Sequence, residues 1–137
     1  MQRRSFLALT AAALAAPVAA RASPNADYTP ELLKSELAAG KTVFLDFFAP
    51  WCSTCAAQRR IIDGLKAENP AYEKSISFIV VDWDTWSDGD LVKQLNIPRR
   101  STLVVLKGDK ELGRIVAGTA KSEIKALMDL GLQAATA

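Results

Sequence analysis

Two cysteines, Cys52 and Cys55, lie in the segment APWCSTCAAQ (residues 49–58), and they are the only cysteines in the chain of 137 residues. A pair with this spacing has three common uses: a catalytic dithiol, half of a metal site, or a structural disulfide. Each use needs different surroundings. A reactive thiolate needs local positive charge, a metal needs further ligands, and a structural disulfide stabilises a protein mainly when it closes a long loop. The sequence around the pair must therefore decide between them.

A strand is predicted before the pair and a helix after it. Residues 42–49 (TVFLDFFA) form a nearly continuous run of β-branched and aromatic side chains, which is typical of a strand buried on both faces of a parallel sheet. A helix should begin near Cys52 and end near Ala67, before Asn69 and Pro70. Cys52 would then lie at a helix N-terminus, where unpaired N–H groups and the helix dipole favour a thiolate.

The position of Cys55, three residues further along, places it on the same face of that helix. It is close enough to attack a mixed disulfide formed at Cys52. The spacing therefore suits a dithiol in which one sulfur starts an exchange and the other completes it.

The other elements predict an α/β fold with a central mixed four-stranded sheet flanked by helices. The pattern predicts a helix that starts at Pro30 with Thr29 as its cap, and a helix over 88–95 with Asp88 available as its cap. It also predicts a hairpin with Gly108 in its turn. The remaining predicted elements are a strand at 76–81, the hairpin strands at 102–106 and 112–116, and a helix at 121–132.

The N-terminus has the pattern of an export signal of the paired-arginine type. Arg3 and Arg4 precede an apolar stretch at 6–20, and small residues at Ala20 and Ala22 predict cleavage after Ala22. The stretch of about 15 residues is shorter than the roughly 20 that a spanning helix needs, and it contains a proline. We therefore expect a signal at 1–22 and no membrane anchor after cleavage.

Removal of this signal changes the charge of the protein. Of the 17 Lys and Arg, three lie in the signal, so 14 remain against all 15 Asp and Glu, a net charge of about −1. This balance predicts neither a nucleic-acid partner nor binding to an anionic membrane. Residues 23–29 are expected to form a linker, and residues 30–137 one domain large enough to bury its own core.

Two of the three uses of the pair lack support in the sequence. A disulfide across so short a loop restrains the unfolded chain very little, although export predicts an oxidising compartment. A zinc site needs two more ligands, and the chain has no His and no third Cys, so it would have to draw on carboxylates. A two-thiolate site for a soft ion such as copper(I) stays open, and the predictions include no resident metal or cofactor.

The order of elements and the motif F-x-A-x-W-C-x-x-C resemble the thioredoxin superfamily over nearly all of the mature chain. The segment DLVKQLNI (90–97) is similar to the thioredoxin-like reductase domains of the bacterial cell envelope. The resemblance implies that Cys52 is the exposed nucleophile and Cys55 the buried resolving cysteine. It also implies that Asp46 assists proton transfer to or from the buried cysteine, with a pKa raised by burial. Thioredoxins usually carry a lysine near that aspartate, at the position where this chain has Val80.

Four residues near the dithiol are predicted to bind the substrate. Trp51 would form an apolar platform beside Cys52, and Gly118 matches a glycine that lets a partner chain come close, although a simple turn would also explain it. Ser101 takes the place of the family's cis-proline, and Arg100 precedes it. Because a cis bond without proline costs about 2.5 to 4 kcal/mol, we expect the bond between them to be trans.

These observations predict a periplasmic thiol-disulfide oxidoreductase, a monomer that exchanges its dithiol with cysteines of other proteins. Ser53 and Thr54 match neither the Gly-Pro of reducing thioredoxins nor the Pro-His of strong oxidants. Reduction or isomerisation is favoured, and it requires an electron donor such as a membrane reductase. The alternatives are a copper carrier or metallation accessory that uses both thiolates, and a binding module whose dithiol is vestigial.

Overall fold

A mixed β-sheet organises residues 25–137, the part of the chain that the computed structural model describes. Its five strands are β1 (Ala26–Asp27), β2 (Thr42–Phe48), β3 (Ile76–Asp82), β4 (Thr102–Lys107) and β5 (Lys110–Val116). They are ordered β1-β3-β2-β4-β5; the first three are parallel, and β4 runs antiparallel to both β2 and β5. The predicted α/β class and mixed sheet are confirmed, with five strands in place of four.

The additional strand lies within residues 23–29, which the sequence predicts to be a linker. Ala26 pairs with Ile79 and Asp27 with Val80, so this short segment adds an edge strand beside β3. A strand of two residues shows no periodicity, which is why the pattern does not reveal it. The predicted signal at 1–22 and the start of the linker lie outside the described residues.

Helices cover both faces of the sheet. They are α1 (Pro30–Ala38), α2 (Ser53–Glu68), α3 (Ala71–Ser75), α4 (Trp83–Trp86), α5 (Asp90–Gln94) and α6 (Lys121–Thr136). The Thr29 hydroxyl accepts a hydrogen bond from Leu32 N, which confirms the predicted cap of α1. The prediction that Asp88 caps the following helix is wrong: Gly89 is the N-cap of α5, because Asp88 lies in the turn that leads from α4.

The central strand β2 directs alternate side chains to the two faces of the sheet. Val43, Leu45 and Phe47 belong to the core that packs against α1 and α5. Phe44 lies in the second core, which α2 and α6 cover, and the alternation places Asp46 on this same face. A carboxylate is thereby buried beneath the helix that begins at the two cysteines. No helix between residues 25 and 137 is long and apolar enough to cross a membrane.

Candidate active site

Cys52 is the N-cap residue of α2. Its backbone is extended (φ −94°, ψ 113°), and its Sγ accepts a hydrogen bond from the Cys55 N–H at 3.2 Å. The sulfur thus takes the position that a Ser or Asp oxygen usually holds, where it receives one of the N–H groups that the helix leaves unpaired. This arrangement favours the thiolate of Cys52.

Both cysteines are free thiols, and both are buried. The exposed fraction is 4% for Cys52 and 0% for Cys55. The resolving position of Cys55 agrees with the predicted burial, but the prediction of an exposed Cys52 is wrong, because Cys52 packs with Ala49 and against the Ser101 hydroxyl. Only a small part of Cys52 is therefore open to a substrate sulfur.

The Ser101 hydroxyl lies between the two sulfurs. Its Oγ is 3.1 Å from Cys52 Sγ and 3.1 Å from Cys55 Sγ. The bond from Arg100 to Ser101 is trans, as expected, and Ser101 has a left-handed backbone conformation with φ +63°. Two backbone hydrogen bonds hold it there: Ser101 N donates to Phe47 O at 2.8 Å, and Ser101 O accepts from Ala117 N at 2.9 Å. The sequence places Ser101 opposite the dithiol, and the structure brings its hydroxyl into contact with both sulfurs.

The two thiols differ in acidity. Burial, the largest effect, opposes ionisation of Cys52, but hydrogen bonds from the Cys55 thiol, the Ser101 hydroxyl, the Cys55 N–H and Arg100 together lower its pKa to about 7. Burial and the hydrogen bond to Cys52 raise the pKa of Cys55 above its ordinary value. At neutral pH the proton is therefore held by Cys55, and Cys52 is the better nucleophile.

Gln58 is a site residue that the sequence analysis did not identify. Its side chain is completely buried, and Nε2 donates to Ser101 O at 2.9 Å and to Gly118 O at 3.0 Å. The amide thus ties two loops to α2 directly behind the dithiol. The spacing in the sequence could have predicted its burial, because Gln58 lies three residues after Cys55 and four before Ile62, on the buried face of the helix.

Asp46 is buried under α2 next to a cation from that helix. Burial raises its pKa to about 6, although Arg59 and Lys66 act in the opposite direction. Arg59 Nη2 lies 3.8 Å from Asp46 Oδ2, and Oδ1 has no hydrogen-bond partner within residues 25–137. Positive charge therefore reaches Asp46 from α2, whereas the position of the family's lysine on β3 holds Val80.

A small cavity adjoins Asp46. About 10 Å³ is open to the centre of a water molecule, enough for roughly one water. Its lining includes Asp46, Arg59, Asp63 and Asn25. Since neither Asp46 oxygen is hydrogen-bonded to a sulfur, a proton moving between Asp46 and Cys55 would travel through water.

Trp51 and Arg100 form the exposed edge of the site. The Trp51 side chain is 59% exposed, its indole N–H donates to Asp84 Oδ1 at 2.8 Å, and the Arg100 guanidinium lies 4.6 Å from the ring centre. Arg100 also lowers the pKa of Cys52. These two of the four predicted substrate-binding residues therefore flank the nucleophile, with Asp84 fixing the orientation of the indole.

Gly118 lies near the site through its backbone. A Cβ at this position would come within 2.8 Å of Ile115 Cγ2 and 3.0 Å of Glu123 Oε2. The space that its missing side chain leaves is therefore filled by the protein itself, which gives this glycine a packing reason. Its predicted contact with a partner chain stays a prediction.

Comparison with known proteins agrees with this geometry. The thioredoxin family model matches residues 25–130. The chain is 26% identical over 105 residues to a thioredoxin of Synechocystis sp., covering 77% of this chain and 90% of that one, and 23% identical over 105 residues, with the same coverage, to a thioredoxin of Porphyra purpurea. The crystal structure of Trxlp from Edwardsiella tarda superposes with a TM-score of 0.66 at 24% identity, covering 76% of this chain and 98% of that one.

The chain belongs to the thioredoxin family, and the thioredoxin-like fold is confirmed. It is a thiol-disulfide oxidoreductase with a Cys-x-x-Cys pair, Cys52 and Cys55. Thioredoxin-type proteins act on protein disulfides as monomers.

Proposed function

We propose that this protein is an exported thioredoxin that reduces or isomerises protein disulfides in the bacterial periplasm. The paired arginines and the apolar stretch of residues 1–22 support export. An exported reductase consumes its own dithiol with each substrate, so it needs a source of electrons, and a membrane reductase is the kind of donor that fits. The substrates are cysteine pairs of other proteins.

The observation that supports the reducing direction is the small set of donors at Cys52 Sγ, which are the Cys55 N–H at 3.2 Å and the Ser101 hydroxyl at 3.1 Å. Strong oxidants of this fold stabilise the thiolate so much that its pKa falls to about 3.5, which makes the reduced protein the favoured product. Here hydrogen bonds lower the pKa of Cys52 only to about 7, the value typical of reducing thioredoxins. The reduced pair is thus stabilised only moderately, and it gives up its electrons readily.

The reduction potential of the Cys52–Cys55 pair tests the direction. Equilibration with glutathione redox buffers, followed by acid quenching and mass spectrometry, gives the fraction oxidised. We expect a potential more negative than about −200 mV, toward the thioredoxin value near −270 mV. A potential close to −120 mV, the value of a strong oxidant, would instead assign the protein to disulfide formation.

A trapping experiment tests the roles of the two cysteines. A Cys55→Ser variant should hold substrates in mixed disulfides through Cys52, because the second sulfur is then missing. The matched Cys52→Ser variant should trap none, since Cys55 is completely buried and its pKa is raised. Trapping by Cys55 alone would reverse the assignment.

Fractionation of cells tests the location. The full chain should accumulate in the periplasm, shortened after Ala22, and a variant with Arg3→Lys and Arg4→Lys should stay in the cytoplasm. A chain that stays in the cytoplasm with both arginines present would contradict export.

The copper carrier is the alternative outcome of these tests. Within residues 25–137 no group of three or more His, Cys, Asp and Glu is placed to hold a metal ion, so a carrier would depend on the two sulfurs. Metal analysis of protein purified under reducing conditions decides the question. Stoichiometric copper(I) together with slow disulfide exchange would favour the carrier.

A further inference from the structure

One hydroxyl serves two sulfurs in this site. Ser101 Oγ is 3.1 Å from Cys52 Sγ and 3.1 Å from Cys55 Sγ, and Ser101 is completely buried, so bulk water does not compete for it. A hydroxyl has a single proton to donate and two lone pairs to accept. At any moment it can therefore donate to one sulfur and accept from the other, but it cannot donate to both.

Disulfide exchange requires each sulfur to be a thiolate at a different time. First, the Cys52 thiolate attacks one sulfur of the substrate disulfide; a Cys52–substrate disulfide forms, and the other substrate sulfur leaves as a thiolate. Then the Cys55 thiol loses its proton, which passes through solvent to the released thiolate. The resulting Cys55 thiolate attacks Cys52 Sγ and releases the second substrate sulfur. The protein loses two electrons and the substrate disulfide gains two.

We propose that Ser101 is a catalytic residue whose hydroxyl donates first to the Cys52 thiolate and then, after the mixed disulfide has formed, to the Cys55 thiolate. The inference rests on the proposed exchange function and adds a residue to its mechanism. The change of partner needs only rotation of the proton about the Cβ–Oγ bond, because Oγ is equally distant from both sulfurs. Before the attack the hydroxyl donates to the Cys52 thiolate, while Cys55, the sulfur that reacts second, keeps its proton.

The backbone around Ser101 is built to hold the hydroxyl in this position. A φ of +63° is unfavourable for serine, so the surrounding contacts must maintain it. Phe47 O and Ala117 N pair with the two backbone polar groups of Ser101, and Gln58 Nε2 adds a second donor to its carbonyl. Gln58 is therefore a positioning residue, which acts on the sulfurs only through Ser101.

Titration of single-cysteine proteins tests the inference without any substrate. Cys55→Ala leaves only Cys52, and Cys52→Ala leaves only Cys55; each is compared with and without Ser101→Ala. We expect the midpoint of the pH titration, followed by the ultraviolet absorbance of the thiolate, to rise by about one pH unit in both backgrounds, a tenfold loss of acidity, because each thiolate loses a charge-assisted hydrogen bond. Ser101→Gly, which also lacks the hydroxyl but favours a positive φ, should give the same two increases.

The outcomes separate the hydroxyl from the backbone and from the proposed function. If the midpoint rises for Cys52 alone, Ser101 acts only on the nucleophile, and the shared role is overturned. Unchanged midpoints in both backgrounds would also overturn the shared role. If the midpoints rise in Ser101→Ala but not in Ser101→Gly, the rise comes from backbone strain and not from loss of the hydroxyl, and the inference is overturned. If the natural chain fails to reduce a peptide disulfide, the proposed function fails, whereas the titrations still decide whether the hydroxyl serves both sulfurs.

Gln58→Met tests the positioning role with a side chain of similar length that has no N–H donors. Both midpoints should rise, by less than in Ser101→Ala, while circular dichroism shows a folded protein. Thr42→Val is the matched control, because it removes another buried hydroxyl, at the far end of β2, that has no hydrogen-bond partner in the described part of the chain. It should move neither midpoint. Unchanged midpoints in Gln58→Met would remove Gln58 from the mechanism.

Discussion

The Asp46 carboxylate and the Arg59 guanidinium form an ion pair under α2, with 3.8 Å between Oδ2 and Nη2. Arg59 also lies over the Phe48 ring, 3.5 Å from its centre, so the cation is held between an aromatic face and a buried carboxylate. The attraction between the two groups does not offset burial, which still raises the pKa of Asp46 to about 6. A carboxyl group with this pKa can both accept and release a proton near neutral pH.

Asp46→Asn should stabilise the protein at neutral pH. The pKa of Asp46 is about 6 in the folded state and near 3.8 when unfolded, so below about pH 4 both states hold the proton. Between about pH 4 and 6 only the folded state holds it, and stability falls as pH rises, by about 3 kcal/mol in total. Urea unfolding should therefore show Asp46→Asn to be more stable than the natural chain at pH 7, with little advantage at pH 4.

The same variant should exchange thiols more slowly. If Asp46 takes the proton of Cys55 through water, resolution of the mixed disulfide in Asp46→Asn slows by about tenfold or more at pH 7. Rapid acid quenching and mass spectrometry measure the lifetime of the mixed disulfide. An equal advantage in stability at pH 4 and 7 would contradict the raised pKa, and an unchanged lifetime would contradict the proton-transfer role.

Arg59→Met should raise the pKa of Asp46 further, because the loss of the cation removes an effect that opposes burial. Methionine keeps an apolar contact with Phe48, so the change is mainly one of charge. The titration of the Asp46 carboxyl carbon, followed by NMR, should shift to higher pH. Arg60→Met is the control, since Arg60 is exposed on the same helix, and an equal shift in both variants would contradict a specific pair.

The sequence predicts the parts of this site that depend on local pattern. The apolar strand, the helix that follows it and the spacing of the cysteines place Cys52 at a helix N-terminus, and the structure agrees. Alternation along β2 explains why Asp46 lies beneath that helix. These features follow from side-chain periodicity over a few residues, which a single sequence displays directly.

Other features depend on contacts between distant segments, and no local pattern contains them. The burial of Cys52 results from packing against Ser101, 49 residues away. The fifth strand depends on pairing of Ala26–Asp27 with β3. Comparison with the family shows that Val80 on β3 stands where a lysine is usual. It does not show that Arg59 on α2 supplies a cation near Asp46 instead. In each case the decisive partner is set by the tertiary fold.

Arg100→Gln should raise the pKa of Cys52, because it removes a guanidinium that lowers this pKa. The rise should be smaller than the one caused by loss of the Ser101 hydroxyl, since Arg100 is the weaker of these influences. Arg99→Gln is the matched control, because it removes the same charge from a side chain that donates to Arg100 O at 3.0 Å and not to a sulfur. It should leave the pKa of Cys52 nearly unchanged. The pH profile of Cys52 alkylation gives the pKa of Cys52 in both variants. Equal shifts would show that the positive charge of the loop, and not the position of Arg100, lowers this pKa.

Gly118→Ala should destabilise the protein by roughly 1 to 3 kcal/mol, because its Cβ would lie 2.8 Å from Ile115 Cγ2 and Ile115 would have to move. Gly64→Ala is the matched control; Gly64 is exposed within α2 with no atom near its Cβ position, so alanine should add roughly 0.5 to 1 kcal/mol of stability. Urea unfolding measures both changes. Exchange rates then separate packing from partner contact: if packing is the reason for the glycine, Gly118→Ala changes the rates with a protein disulfide and with a small-molecule disulfide by the same factor. A selective loss with the protein substrate would instead show that Gly118 admits a partner chain.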